Sequence, residues 1–171
     1  MNVFLGCTAD KLHVDECEAN ELYLASDLFR GRRAFLMDLI RQNVYEDEKI
    51  HYFILSAKYG LLEWKEKVSP YNLTLNDFSA NEKREWTERV YNKLKEKNID
   101  FNEFTYFLCG DNYSKYLKKY FPNSITEADL AKQEYSRCGL GFILKFYHDR
   151  YQLDIDMYKR ELKEKYKQEA E

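Results

Sequence analysis

The sequence predicts an α/β fold: a three-layer sandwich with a mostly parallel central sheet of about four strands and helices on both faces. Two observations predict it. Short apolar runs alternate with segments of helical periodicity along the whole chain. The run His51–Leu55 then breaks abruptly into Ser56-Ala-Lys-Tyr-Gly60. A strand that ends in polar, aromatic and glycine residues has the layout of an α/β ligand edge.

Asn2–Cys7 is apolar and reads as the first strand, followed by a polar loop over Thr8–Asn20. Within Glu21–Asn43, Leu22, Ala25, Leu28, Phe29, Phe35, Leu36, Leu39 and Ile40 recur at helical spacing. Ser26 or Asp27 caps a second helix inside that stretch. Ile50–Ser56 is the second strand, and Ala57–Phe78 is a long loop of the kind usually kept for function. Ser79–Asn98 is a polar helix whose single apolar face, Trp86, Val90, Tyr91 and Leu94, sets it on the outside of the sheet. Glu103–Cys109 is the third strand. Gly110 turns into a helix running through Phe121, where Pro122 ends it. Ser124–Ala128 is the fourth strand, and Phe142–Tyr151 is an apolar helix. Residues 1–153 thus read as one α/β catalytic domain and 154–171 as a charged helical tail. The tail's stripe, Tyr158, Leu162 and Tyr166, docks on its own domain or pairs two copies as a homodimer.

A net charge of −3 excludes a uniformly basic nucleic-acid binder, although local patches matter more than totals. No apolar run is long enough to cross a membrane, and Met1–Gly6 lacks the basic start of a signal peptide. The expectation is a cytoplasmic protein without a membrane partner. The four cysteines, Cys7, Cys17, Cys109 and Cys138, form no Cys-x-x-Cys pair and read as reduced thiols. No metal and no cofactor is expected. The 15 Tyr and 11 Phe serve mainly as packing, though tyrosine also stacks on bases.

In a parallel sheet the ends Cys7-Thr8, Ser56-Ala57-Lys58 and Cys109-Gly110-Asp111 share one edge. The loops leaving them carry Asp10, Lys11, Lys58, Tyr59, Tyr71, Asn72, Asp111, Asn112 and Tyr113. Carboxylates, lysines, amides and tyrosine rings around one crevice suit a sugar–base unit and a cationic transition state. Each has a plainer reading. Asp111 is also a natural helix cap, Lys58 a solvated loop lysine, Asn72 a turn residue and Cys7 a small buried residue. Arg30, Arg32 and Arg33 cluster near a helix start, where the dipole prefers anions. They read either as phosphate ligands or as a solvated basic face.

The blocks Cys7-Thr-Ala-Asp-Lys11, Tyr23, Ser26-Asp-Leu-Phe29-Arg30, Arg32-Arg33, Ser56-Ala-Lys-Tyr-Gly-Leu61, Pro70-Tyr71, Gly110, Tyr113 and Gly139-Leu-Gly141 together resemble a bacterial and phage domain family. That family has a Ser-Ala-Lys-Tyr-Gly-Leu signature and begins with a Cys-Ser-Lys-Lys-Lys-like motif, altered here to Cys7-Thr8-Ala9-Asp10-Lys11. It is similar to domains attached to deazaguanine-modification enzymes, and those resemble the uracil-DNA glycosylase fold. A related branch includes anti-phage DNA glycosylases that remove hypermodified pyrimidines.

The resemblance implies a DNA glycosylase that hydrolyses the N-glycosidic bond of a modified base in phage DNA and leaves an abasic site. Such an enzyme flips the base into a pocket. Asp111 or Asp10 would stabilise the cationic sugar, and Lys58 the departing base. Cys7, Thr8, Tyr23, Ser56, Tyr59, Tyr71, Asn72, Asn112 and Tyr113 would line the pocket. Lys11, Arg30, Arg32 and Arg33 would hold DNA phosphates. Competing expectations are a hydrolase or transferase of free nucleosides or nucleotides, and a non-catalytic nucleic-acid-binding module.

Overall fold

The computed structural model describes residues 1–43 and 49–167. The chain forms a mixed, five-stranded sheet with helices on both faces. Its elements are β1 (Asn2–Gly6), β2 (Cys17–Glu18), α1 (Ala19–Leu22), α2 (Asp27–Gln42), β3 (His51–Ser56), β4 (Gly60–Leu62), β5 (Lys67–Val68), α3 (Ala80–Glu96), β6 (Thr105–Leu108), α4 (Asp111–Ser114), β7 (Ser124–Thr126), α5 (Glu127–Tyr135) and α6 (Leu140–Tyr166). Single 3₁₀ turns occupy Leu75–Asp77 and Leu117–Tyr120.

The sheet order is β4-β3-β1-β6-β7, with β1 at its centre. The β1–β3, β1–β6 and β6–β7 ladders are parallel, and β3–β4 is antiparallel. The expectation of a mostly parallel sheet of about four strands is corrected: the sheet is mixed, and its fifth strand lay inside the predicted Ala57–Phe78 loop. That strand escapes sequence reading because it is short and joined to β3 by a tight turn. Ser56 pairs with Gly60, and Gly60 has φ +72°, a left-handed conformation that glycine adopts without cost. The small β2–β5 ribbon also lies within stretches predicted as loops.

Alternation along the strands sends successive side chains to opposite faces. Phe4 therefore stacks with its register neighbours Phe53 and Phe107, and Phe121 meets Phe4 and Phe107 edge-on. Phe101 joins that cluster to Tyr91 of α3. On the other face Tyr106 meets Phe35 of α2, which in turn meets Phe146 of α6. So α3 covers one face, while α2 and α6 cover the other.

The predicted apolar face of α3 is buried at Trp86, Val90 and Leu94, and a Ser79/Glu82 capping box starts the helix. Ser26, not Asp27, caps α2. The predicted helix from Gly110 through Phe121 splits into α4 and a 3₁₀ turn, and α5 was not foreseen. A Thr126/Asp129 capping box opens α5, whose nine residues bury only Glu127 and Ala131, too little for an apolar period. The two late helices run end to end as α6, and the break between them falls at Tyr151, whose φ of −130° and ψ of 27° are non-helical, where the predicted apolar helix ends. The tail's stripe is buried within the chain through Tyr158 and Leu162, while Lys165 and Tyr166 reach Glu21. Residues 168–171 of the predicted tail lie outside the described residues.

Gly31 of α2 packs against Tyr147 of α6 so closely that a Cβ there would lie 2.5 Å from the Cβ of Tyr147. Gly31→Ala is expected to cost about 1–3 kcal/mol by overpacking, read as a lowered urea midpoint with unchanged slope.

Candidate active site

The parallel strands bring the carboxyl ends of β1, β3 and β6 to one edge, as right-handed crossovers require. A cavity of about 520 Å³ opens there, a volume in the range of small-ligand sites. Its walls come from the β1 loop (Cys7, Thr8, Ala9, Asp10), the start of α2 (Ser26, Asp27, Leu28, with Arg32), the segment Leu73, Thr74 and Asn76, then Gly110 and Tyr113, and finally Leu140 and Leu144 of α6. Two carboxylates, Asp10 and Asp27, lie among largely apolar walls.

The floor of this edge is held by buried hydroxyl and thiol groups. Cys7 Sγ lies 3.2 Å from the Tyr113 hydroxyl, and burial, then Cys7, push Tyr113 well above the ordinary phenol range. Tyr71 Oη bridges Tyr23 Oη at 2.8 Å and Ser56 Oγ at 2.7 Å. Burial pushes both phenols far up, so they remain neutral donors. Lys11 Nζ stands 4.4 Å from the Tyr71 ring and is held by the Ala9 carbonyl at 3.2 Å. Burial lowers the Lys11 pKa, with Cys7 and Asp10 opposing it. Tyr71→Phe removes the shared hydroxyl and leaves two partners short of a bond. It is expected to cost about 1–2 kcal/mol in thermal melts.

The signature Ser56–Leu61 is the β3–β4 turn. Ser56 Oγ accepts the Tyr59 amide at 3.1 Å, and the Tyr59 hydroxyl bonds the Ser69 backbone at 3.2 and 3.3 Å. The indole of Trp86 donates to the Ser56 carbonyl at 2.9 Å. These bonds hold the turn to the segment that carries Tyr71.

Of the residues expected in the pocket, Cys7, Thr8, Asp10 and Tyr113 are in its walls. Tyr23, Ser56 and Tyr71 form the hydroxyl cluster beside it, and the Tyr59 ring packs edge-on against Tyr71. Asp111 is exposed at the first position of α4, next to the wall residue Gly110 but outside the wall. Lys58 is exposed and rests on Tyr59, and Asn72 is exposed. Asn112 donates to Asn76 of the wall.

The expected phosphate cluster is corrected. Arg30 is fully buried, bonded to Asp27 and, at 3.2 Å, to the Ala25 carbonyl. Arg32 is 2% exposed: Nε and Nη2 donate to Glu127 at 2.8 and 2.7 Å, and Nη1 to the Gly6 carbonyl at 3.0 Å. Burial alone would lower its pKa, but Glu127 outweighs burial and the net shift is upward. Arg33 bonds Asn20 and lies over Tyr158 and Trp64. A duplex backbone cannot reach the enclosed guanidiniums of Arg30 and Arg32, whereas Arg33 is half-buried.

Asp27, Leu28, Thr74, Asn76, Leu140 and Leu144 were not foreseen as walls. One signal for Asp27 was present: in a strand–helix crossover the helix starts at the strand's carboxyl end, so the residues at that helix start face the same edge. Asp27 also sits at the positive end of α2, where a carboxylate is favoured, and it meets Arg30, His148 Nε2 at 3.6 Å and Lys159 Nζ at 3.5 Å.

Among the described residues no group of His, Cys, Asp and Glu is arranged to hold a metal, and no helix is long and apolar enough to cross a membrane.

The fold and cavity define an α/β protein with a ligand-sized crevice at the carboxyl edge of its sheet. The chain belongs to the family described as a family of unknown function (DUF6884), whose model matches residues 3–147. No curated protein and no solved structure matches the chain.

Proposed function

We propose that this protein is a cytoplasmic DNA glycosylase that hydrolyses the N-glycosidic bond of a modified base and leaves an abasic site, in defence against phage. The observation that carries the reading is the cavity at the carboxyl edge, with the carboxylates Asp10 and Asp27 set among apolar walls and a tyrosine. Cleaving a glycosidic bond develops positive charge on the sugar, and a fixed carboxylate stabilises that charge and orients water. Asp27 is already engaged by Arg30, so Asp10 takes this role. Tyr113, Thr74 and Asn76 would hold the flipped base by its edge and face. The resemblance of the sequence to domains of the uracil-DNA glycosylase-like fold, a three-layer sandwich, supports the same reading.

The burial of Arg30 and Arg32 favours a second reading, a hydrolase of free nucleosides or nucleotides, because the expected phosphate grip is absent from the surface. Incubation with hypermodified phage DNA, plain DNA and free nucleotides separates the two. Released base with abasic sites supports the first, and turnover of monomers alone supports the second. Binding without turnover of any substrate would overturn both and leave a nucleic-acid-binding module.

A further inference from the structure

Cations without a carboxylate partner gather on another surface. Arg84 and Lys115 both stand over the Tyr116 ring, at 5.2 and 5.4 Å. Farther along α3, Tyr91 stacks on Tyr120 with centroids 3.8 Å apart and planes 9° off parallel. Lys95 covers Tyr91 at 4.6 Å, and Lys119 covers Tyr120 at 4.9 Å. Arg84, Tyr91 and Lys95 fall on one stripe of α3, about 16 Å long at the helical rise.

These cations are exposed, and among the described residues none is paired with a carboxylate. That separates them from Lys97, Lys145, Arg150, Lys159 and Lys165, each of which has an acidic partner. One carboxylate, Glu88, shares the α3 stripe by its spacing from Arg84. The strip is tied to the cavity along the chain: Asn112, three residues before Lys115, donates to the wall residue Asn76. Tyr116 is likewise three residues beyond the wall residue Tyr113.

We propose that this strip is the footing for a nucleic-acid strand whose backbone runs along α3 and the Lys115–Tyr120 segment and leads to the cavity. Unpaired cations spaced along one stripe match the successive phosphates of a strand. The Tyr91 and Tyr120 faces are taken by each other and by Lys95 and Lys119, so the footing is to the backbone, not to the bases. The rings hold the cations in place before binding, which reduces the side-chain entropy lost on contact. The choice of DNA as the polyanion rests on the proposed glycosylase function, whereas the strip itself does not.

The test is fluorescence anisotropy with labelled single-stranded and duplex oligonucleotides across a salt series. The expected result is oligonucleotide binding that weakens steeply with salt. In the Arg84→Gln/Lys115→Gln double variant the log–log slope should fall by about 1.4 and affinity by about tenfold at low salt. Glu88→Gln should bind about threefold tighter, a gain that misfolding cannot produce. Lys163→Gln, on α6 across the molecule, should bind as the unsubstituted protein does. Absence of salt-dependent binding, or a double variant with unchanged slope, overturns the footing. Base release from the same oligonucleotides is scored separately. Binding that obeys these expectations without release sustains the footing and removes the enzyme.

Discussion

Asp10→Asn is expected to lower base release by about 10²–10⁴-fold, the range for losing one positioned catalytic group, while leaving the melting temperature unchanged. The substitution keeps the shape of the side chain and removes its charge. Asp10 is exposed in the β1 loop and lines the cavity, so it is available to a substrate and not needed by the core. Asp27 is the other wall carboxylate, but its contacts with Arg30, His148 and Lys159 already oppose its charge. Single-turnover measurements on Asp10→Asn and Asp111→Asn decide between the two sequence candidates. A greater loss in Asp111→Asn would return the role to Asp111.

Arg32→Met is expected to unfold the protein or to cost about 3–5 kcal/mol, because it strands the Glu127 carboxylate without its cation. Both side chains are 3% exposed, and the guanidinium closes three bonds between α2, β1 and α5. The Tyr147 hydroxyl also donates to Glu127 at 2.8 Å, so the lesion reaches α6. A single domain has roughly 5–15 kcal/mol in total, so one such loss is a large fraction. Arg32→Met combined with Glu127→Leu removes the stranded charge and should recover much of the deficit. Thermal and urea melts of the single and double variants read this directly. Equal instability in both would show that the three-element tie itself, not the stranded charge, matters.

The predicted strands were legible as short continuous apolar runs, as β1, buried at every residue, shows, and the main helices by their period, with Trp86, Val90 and Leu94 recurring at helical spacing. Convergence of three strand ends followed from parallel pairing and crossover handedness, and Cys7, Thr8, Asp10 and Tyr113 do meet in one cavity. The arginines misled because a guanidinium looks the same in sequence whether it faces a phosphate or a carboxylate. The conflict with the helix dipole was a genuine signal. Its cause is the buried partner Glu127, 95 positions away from Arg32.

The Ser56–Leu61 block shows the same division. Its specificity is visible in the sequence, but its physical job is not. Gly60 supplies a left-handed turn, Ser56 accepts from Tyr59 and meets Tyr71, and Lys58 is left in solvent.

By itself, then, the sequence determined the α/β class, the positions of the principal strands along the chain and the convergence of three strand ends on one edge, since these depend on local apolar patterning and parallel pairing. Tertiary structure alone decided which charges are buried in pairs, which carboxylates line the cavity, and that unpaired cations gather along α3 and Tyr116. Those outcomes depend on contacts between residues far apart in the chain, and no local pattern encodes them.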